Sequence, residues 1–375
     1  MATGISDLYV LFRRHPHVST DTRRIEPGSI FFALRGATFD GNRFVDEALA
    51  KGAAWAVADD PAAAGTDARV LIVDDTLRTL QELARTHRRT LGIPILAVAG
   101  SNGKTTTKEL TSRVLACRFA LQATRGNLNN HIGVPLTLLA MTPGTEFGIV
   151  EMGASACGEI AALASIAEPD YGILTNIGRA HLEGFGGPEG VRRGKGELFD
   201  YLAAHGGLAF VPDEDPTLAA MAAERPSLRV ERYSRTLADN IPSRLEGEYN
   251  RCNIAAAAAV GRHFGISDAD IRRAVAGYIP DNNRSQRTET RRNSLIVDCY
   301  NANPSSMRAS VANFLSEGLG SRTRRLLILG DMLELGEWSC GEHAAIIRQA
   351  TQDPKAEVWL VGSEFERAWQ SLGEH

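Results

Sequence analysis

Apolar and polar positions along this chain follow two rhythms in turn. Short unbroken apolar runs come first, and behind each one apolar residues return every three or four positions. In the middle of the chain the runs are Ile95–Ala99, Phe147–Glu151, 171–175 and 208–211. Helical spacing covers 104–117, 158–166 and the alanine-rich 253–264, with Leu110, Val114 and Cys117 on one face of the first. Runs of this length, each followed by a helix, predict a parallel α/β sheet.

Residues 1–92 mix strand patterns at 29–34 and 54–58 with helical ones at 43–51 and 76–90, and the Ala/Pro/Gly patch 60–66 reads as a loop. A last block opens near the turn-rich Pro280-Asp281-Asn282-Asn283 and carries strand patterns at 295–298, 326–329 and 358–361. The expectation is an α/β protein of three domains. A small mixed α/β domain covers 1–92, a central parallel sheet of P-loop type covers 93–282, and a Rossmann-like α/β domain covers 283–375. At 375 residues the chain exceeds what one hydrophobic core usually supports.

The run Ile95–Ala99 feeds the turn Gly100-Ser101-Asn102-Gly103-Lys104-Thr105-Thr106 and then a helix. Glycines let backbone N–H groups approach an anion closely, and the new helix presents its positive end. Lys104 can neutralise β- and γ-phosphates, and the Thr105 hydroxyl suits Mg²⁺. The general P-loop spacing asks for a glycine where this chain has Val98, so the loop is a short Gly-x-x-Gly-Lys-Thr form. A nucleoside triphosphate is the first substrate this predicts.

Composition narrows the classes. Apolar residues make up 43% and charged ones 23%, with 41 basic against 45 acidic side chains and a net charge of −4. No surplus of positive field invites nucleic acid. The cysteines at 117, 157, 252, 299 and 340 are scattered without a C-x-x-C, which predicts neither a zinc site nor a disulfide framework and points to a reducing cytoplasm. A signal-peptide pattern is not seen, and no apolar run reaches membrane-spanning length.

Other residues stand where ligands gather, at the ends of predicted strands. Glu151 closes its strand and precedes the bare backbone of Met152-Gly153-Ala154; it suits Mg²⁺ or a helix cap. His181 follows the strand 171–175 and is a ligand or a structural loop residue. Lys195, in Arg192-Arg193-Gly194-Lys195-Gly196, reads from spacing alone as a solvated basic turn at a helix start. The segment Gly126-Asn127-Leu128-Asn129-Asn130-His131-Ile132-Gly133 is a plain turn or a set of amides for a ligand. Asn250 and Asn253 share one face of the alanine-rich helix, as caps or ligand contacts. Asp298 could accept ribose hydroxyls and Arg284 could reach a phosphate.

Taken together these segments resemble the Mur ligase family, the ATP-dependent amide-bond-forming enzymes of peptidoglycan synthesis. The resemblance is carried by the short phosphate loop, by 126–137, by Glu151-Met152-Gly153-Ala154 and by His181-Leu182-Glu183-Gly184-Phe185-Gly186. It continues through Lys195-Gly196-Glu197, 298–307 and Leu329-Gly330-Asp331-Met332-Leu333-Glu334-Leu335-Gly336. Ser19-Thr20-Asp21-Thr22-Arg23, Phe31-Phe32-Ala33-Leu34-Arg35-Gly36 and Asp40-Gly41 extend it to the first block.

The resemblance implies a ligase that adds D-alanyl-D-alanine to UDP-N-acetylmuramoyl-tripeptide through an acyl phosphate, with ATP as co-substrate. It assigns Gly100, Ser101, Asn102, Gly103, Lys104, Thr105, Thr106, Asn250, Asn253, Arg284 and Asp298 to the nucleotide. Thr105, Glu151, His181 and Lys195 fall to Mg²⁺, with Lys195 expected as a carbamate, and Lys104, Lys195 and His181 take the catalytic roles. Thr22, Arg23, Leu34, Arg35, Gly36, Asn127, Asn129, Asn130, Tyr300, Asn301 and Asn303 fall to the other substrates. The three domains then receive the UDP-linked peptide, ATP and the incoming dipeptide's chemistry in turn. A cytoplasmic monomer without membrane insertion or nucleic-acid partner is expected.

Three departures stand out. Tyr249 replaces a common His, His131 replaces a common acidic residue, and members usually continue past this chain's end with a Lys-Gly-Ser-Arg-like segment, so the third domain is expected to be incomplete. The sister ligase that adds the third amino acid typically carries Asp-Asn-Pro-Arg, a string not found here. Folylpolyglutamate synthase shares the phosphate-loop plan but not the 22–36 segment. A nucleotide-binding module inactive through loss of its tail is the alternative from another class.

Overall fold

The computed structural model describes residues 4–245, 247–280, 284, 286–316 and 324–373. Among these residues four sheets form. The first runs β1-β2-β3-β4, all parallel, from Val18–Ser19, Ile30–Phe32, Trp55–Ala58 and Val70–Ile72. The second contains β5 (Ile95–Ala99), β6 (Leu121–Ala123), β7 (Phe147–Glu151), β8 (Tyr171–Leu174), β9 (Leu208–Pro212) and β10 (Arg229–Tyr233). Its order is β10-β9-β8-β5-β7-β6, so crossovers separate β5 from the strands that follow it in sequence, and the alternation of runs and helices predicts such connections. β11 (Gln286–Glu289) and β12 (Ser294–Val297) make an antiparallel hairpin, and β13 (Arg325–Gly330) pairs in parallel with β14 (Ala356–Val361).

The chain divides into two compact units. One holds the residues through Ala97 with Phe119–Met152 and Ala161–Tyr171; the other holds Val98–Arg118, Gly153–Ile160 and Gly172 onward. In the first, Phe31, Ala33, Val45, Ala48, Leu49, Ala56 and Ala58 form a buried cluster on the four-stranded sheet. The helix Thr76–Leu91 is started by the Asp75 carboxylate, which accepts from the Arg78 N–H, and stopped by Gly92 at φ +62°. In the second, Leu182, Phe185, Val191, Met307, Val311, Ile346 and Phe365 belong to one core that covers the inward side of β13 and β14. No helix among the described residues is long and apolar enough to cross a membrane.

β5 and β7 are buried at every position, which is why each is an unbroken apolar run in the sequence. Elsewhere local chemistry moves the expected bounds. Residues 60–66 are not all loop, because the Asp60 carboxylate accepts from the Ala62 N–H and Pro61 begins a short 3₁₀ turn, Pro61–Ala64. Leu110 and Val114 are fully buried, but the helix stops at Leu115 and Cys117 beyond it is exposed. The alanine-rich helix starts at Glu248, ahead of the predicted 253. β10 (Arg-Val-Glu-Arg-Tyr) carries no apolar run because it is an edge strand with one neighbour. Of the expected joint, Asp281, Asn282 and Asn283 lie outside the described residues.

A buried histidine joins three segments of the first unit. The Tyr9 hydroxyl lies 3.2 Å from His87 Nδ1, the Phe12 ring meets the imidazole edge-on at 4.9 Å, and Nε2 lies 2.8 Å from the Met141 carbonyl. That carbonyl can only accept, so Nε2 carries the hydrogen. Burial holds the His87 pKa below its ordinary value, outweighing the Met141 bond that favours charge. The unfolded chain then binds more protons at mildly acid pH. Stability should be full above about pH 6.5 and fall below it. Thermal melts across that range should show the fall, and His87→Gln, which keeps a donor for Met141 but cannot charge, should flatten it.

Candidate active site

The phosphate loop follows β5 directly, and its conformation is one that only glycine permits. Gly100 has φ +129°, and a Cβ there would stand 2.2 Å from Thr175 Oγ1 and 2.9 Å from the Thr175 amide. Gly103 has φ +79°, and a Cβ would meet Asn253 Oδ1 at 2.5 Å. Asn176, which sequence reading did not single out, and the predicted Ser101 tie the loop down. The Asn102 N–H donates to Asn176 Oδ1 at 3.1 Å, and Asn176 Nδ2 returns a bond to the Asn102 carbonyl at 3.0 Å. Ser101 Oγ accepts from the Gly178 N–H at 2.9 Å. Asn176 was legible only as a polar residue just past a strand end.

The helix Lys104–Leu115 opens at Gly103 without a side-chain cap, so its first N–H groups face the loop. Lys104 Nζ donates to the Gly100 and Ser101 carbonyls, each at 2.9 Å. Thr105 and Thr106 are buried on the first turn. In the next position the Thr107 hydroxyl donates to Asn253 Oδ1 at 3.1 Å, and Asn253 Nδ2 donates to Asn250 Oδ1 at 3.1 Å. The two asparagines lie inside the helix Glu248–His263, so they join the loop network instead of capping that helix.

The third sequence block reaches this network. Asn303 Nδ2 donates to Asn102 Oδ1 at 2.7 Å, and Asn102 Nδ2 donates back to Asn303 Oδ1 at 3.3 Å. The Arg179 N–H donates to Ser305 Oγ at 2.8 Å. The Arg284 guanidinium lies over the Tyr300 ring, 3.9 Å from its centre. Asp298 lies just past β12 and accepts from the Ser310 hydroxyl, while Asn301 Oδ1 accepts from the Ala302 N–H at 2.9 Å.

Lys195 overturns its reading as a solvated turn. It lies mid-helix in Pro188–His205 and is 1% exposed, with Nζ donating to the Ala154 carbonyl at 2.8 Å and lying 4.9 Å from the centre of the Phe185 ring. Burial pushes its amine down to about pKa 7, and the Lys104 ammonium pushes the same way. Half the amine is therefore neutral near pH 7, the form that can attack CO₂. His181 stands at the head of the one-turn helix Leu182–Phe185 with φ +53°, and its Nδ1 meets the Glu334 carboxylate.

The remaining predicted residues belong to the first unit. Asn129 Nδ2 donates to Glu151 Oε1 at 2.8 Å, and the Glu151 N–H donates to Thr124 Oγ1 at 3.0 Å. Glu151 caps no helix; its carboxylate is buried at the end of β7. The Asn129 N–H donates to the Asn127 carbonyl at 2.8 Å, and Asn130 Oδ1 accepts from the Ile132 and Gly133 amides, which starts the helix Gly133–Leu139. Thr22 and Arg23 lie on a 3₁₀ turn whose Asp21 carboxylate takes the Arg23 guanidinium at 2.8 Å. That pairing holds the Asp21 carboxyl down at about pKa 2. Leu34, Arg35 and Gly36 form one side of a tight loop closed by an Arg35–Asp40 bridge, with Arg35 Nε 2.9 Å from Asp59.

No three His, Cys, Asp or Glu side chains cluster as a metal cage among the described residues. Mg²⁺ takes few protein ligands and favours oxygen; taken one by one, the Thr105 hydroxyl of the second unit and the Glu151 carboxylate of the first suit that preference, and the His181 imidazole is the nitrogen donor of the set predicted for the ion. An ammonium does not suit it, so Lys195 fits that set only as a carbamate.

Comparisons with known proteins show the family. Residues 16–88 match the model described as Mur ligase family, catalytic domain; 98–241 match the Mur ligase middle domain; 283–373 match the Mur ligase glutamate ligase domain. The chain is 36% identical to the UDP-N-acetylmuramoyl-tripeptide–D-alanyl-D-alanine ligase of Bacillus subtilis, over 85% of this chain and 74% of that one. It is 33% identical to the ligase of that name from Escherichia coli, over 96% and 84%. Among solved structures, MurF from Acinetobacter baumannii superposes with a TM-score of 0.85 at 30% identity, covering 94% of this chain and 82% of that one. MurF from Thermotoga maritima in complex with ADP gives 0.81 at 27%, covering 96% and 87%.

The loop geometry predicts an unequal pair of glycine substitutions. Gly100→Ala should cost about 2 kcal/mol or more, since backbone strain and a clash with Thr175 act together. Gly206→Ala, at φ +70° with open space around it, should cost only about 1 kcal/mol. Urea unfolding reads both, and calorimetry should find ADP affinity weakened only in the first.

Proposed function

Because this chain belongs to the Mur ligase family, we propose that it joins D-alanyl-D-alanine to UDP-N-acetylmuramoyl-tripeptide while cleaving ATP to ADP and phosphate. The likeness over most of the chain to ligases of that name supports the substrates. The observation that carries the chemistry is a phosphate loop and a dry, half-neutral lysine within one compact unit.

The tripeptide's terminal carboxylate attacks the γ-phosphorus of ATP, the bond to the β-phosphate oxygen breaks, and ADP leaves. The amine of D-alanyl-D-alanine then attacks the acyl phosphate carbon, phosphate departs, a proton is lost from nitrogen and the amide forms. Two anions meet in the first step, so Coulomb repulsion opposes it. Lys104 offsets that repulsion by releasing the Gly100 and Ser101 carbonyls and turning to the phosphates. The loop amides and the head of the helix Lys104–Leu115 cradle the same groups. Asn250, Asn253, Arg284 and Asp298 receive the rest of the nucleotide.

Thr105, Glu151, His181 and a carbamate on Lys195 would hold Mg²⁺, which when bound neutralises charge on the phosphate oxygens. Thr22, Arg23, Leu34, Arg35 and Gly36 receive the UDP end. Asn127, Asn129 and Asn130, with Tyr300, Asn301 and Asn303, receive the peptide and dipeptide. Three functional domains follow, 1–92, 93–282 and 283–375, in step with the three matched family segments. We place the reaction in the cytoplasm, carried out by a monomer; the scattered cysteines without a C-x-x-C support the reducing compartment.

Mass detection of UDP-N-acetylmuramoyl-pentapeptide after incubation with ATP, Mg²⁺, the UDP-tripeptide and the dipeptide tests the activity. Phosphate release should require the dipeptide, and vigorous release without it would argue against the assignment. Lys195→Ala should lower turnover by about a hundredfold or more, with partial rescue by a short carboxylate. The carbamate has its own readout. At fixed dissolved ¹³CO₂ its carbon signal should grow from about pH 6 to about pH 8, as the buried amine loses its proton, and be absent from Lys195→Ala.

A further inference from the structure

We propose that Glu334 is a positioning residue for His181, its carboxylate fixing the imidazole as the Nδ1–H tautomer. The use made of the ring rests on the ligase reading above; the tautomer does not. Non-glycine residues with positive φ among the described residues are Glu168, His181 and Glu334, and the last two meet, 153 residues apart in sequence. Such backbone is held only where the surroundings over-determine it.

Both corners are pinned from several sides. The Glu183 N–H donates to the Glu334 carbonyl at 3.1 Å, and the Phe185 N–H donates to the His181 carbonyl at 3.1 Å. Leu182 and Leu335, the next residues along from each, are 0% and 1% exposed in one core cluster. The side chains themselves stay partly open to solvent, at 31% for His181 and 58% for Glu334. The backbone strain therefore serves a pair of polar groups at the surface of a core, where packing alone would not require either type.

Hydrogen bookkeeping fixes the direction. An ionised carboxylate only accepts, so the nitrogen that faces it must carry the hydrogen. Nδ1 faces Glu334, which leaves the Nε2 lone pair as the ring's acceptor. A histidine that offers Nε2 to a cation or a proton is commonly oriented through its other nitrogen in this way. Glu334 follows β13 in the third sequence block, while His181 follows β8 in the middle one. The orientation of His181 thus depends on the loop after β13 being seated.

Nitrogen-15 NMR of histidine-labelled protein at about pH 8, with His181 assigned by its loss in His181→Gln, reads the tautomer without turnover. The wild type should show Nδ1–H; Glu334→Ala should shift the ring toward Nε2–H, and Glu334→Gln, which keeps an acceptor oxygen, should retain much of the wild-type pattern. In the ligase assay Glu334→Ala should lower kcat about 10- to 100-fold with KM for ATP little changed, and require more Mg²⁺. An Nε2–H ring in the wild type, or a Glu334→Ala variant with unchanged tautomer and kcat, would overturn the proposal. A wild-type chain that makes no pentapeptide while showing Nδ1–H would sink the ligase reading and uphold this one.

Discussion

An amine removed from water loses basicity, and this chain buries one such amine, Lys195, in the same compact unit as its phosphate loop. Lys195 sits in the middle of an eighteen-residue helix whose neighbours Val191, Leu198 and Phe199 are fully buried, so the helix cannot roll to expose it. The Phe185 ring and the Ala154 carbonyl define its pocket. The carbonyl, the ring face and the carboxylates of Glu159 and Glu197 favour the charged form, but the loss of water around the amine outweighs them. Lys104, by contrast, rests on two loop carbonyls beside the phosphate cradle. Two lysines of the same unit thereby meet different environments, one resting on loop carbonyls and one sealed from water, and the roles proposed for them differ accordingly.

What could be read from the sequence follows from how far each determinant reaches. β5 and β7 were legible because full burial leaves an unbroken apolar run, and the phosphate loop was legible because glycine, lysine and threonine act within one turn. β10 was not, since an edge strand with polar residues offers no such signal. Lys195 looked like surface because its immediate neighbours are arginine and glycine; its burial is set by Ala154 and Phe185, far away along the chain. Asn176 and Glu334 could not be ranked for the same reason: each matters through a partner from another segment. The roles proposed for Glu151, His181 and Lys195 come from family resemblance; the geometry adds only their partners, Asn129, Glu334 and the Ala154 carbonyl.

The middle and last blocks share more than the histidine–carboxylate pair. Glu342, buried, takes both Arg179 and Arg308, and the Arg179 amide meets Ser305. Segment 176–185 is thus held by the phosphate loop through Asn102 and Ser101 and by the last block through Arg179 and His181. A polar tract of this kind is specified by partners at each step, so its members act as a set.

The reciprocal amide pair between Asn102 and Asn303 spans 201 residues of chain. During synthesis the phosphate loop leaves the ribosome long before its partner is made; at about 5–20 residues per second that gap lasts on the order of ten seconds or more. Through that interval the Asn102 side-chain amide lacks its Asn303 partner. The loop is therefore born early and its bond to the last block made late, and a ribosome that stalls before residue 303 yields a chain with the phosphate loop made and that bond missing.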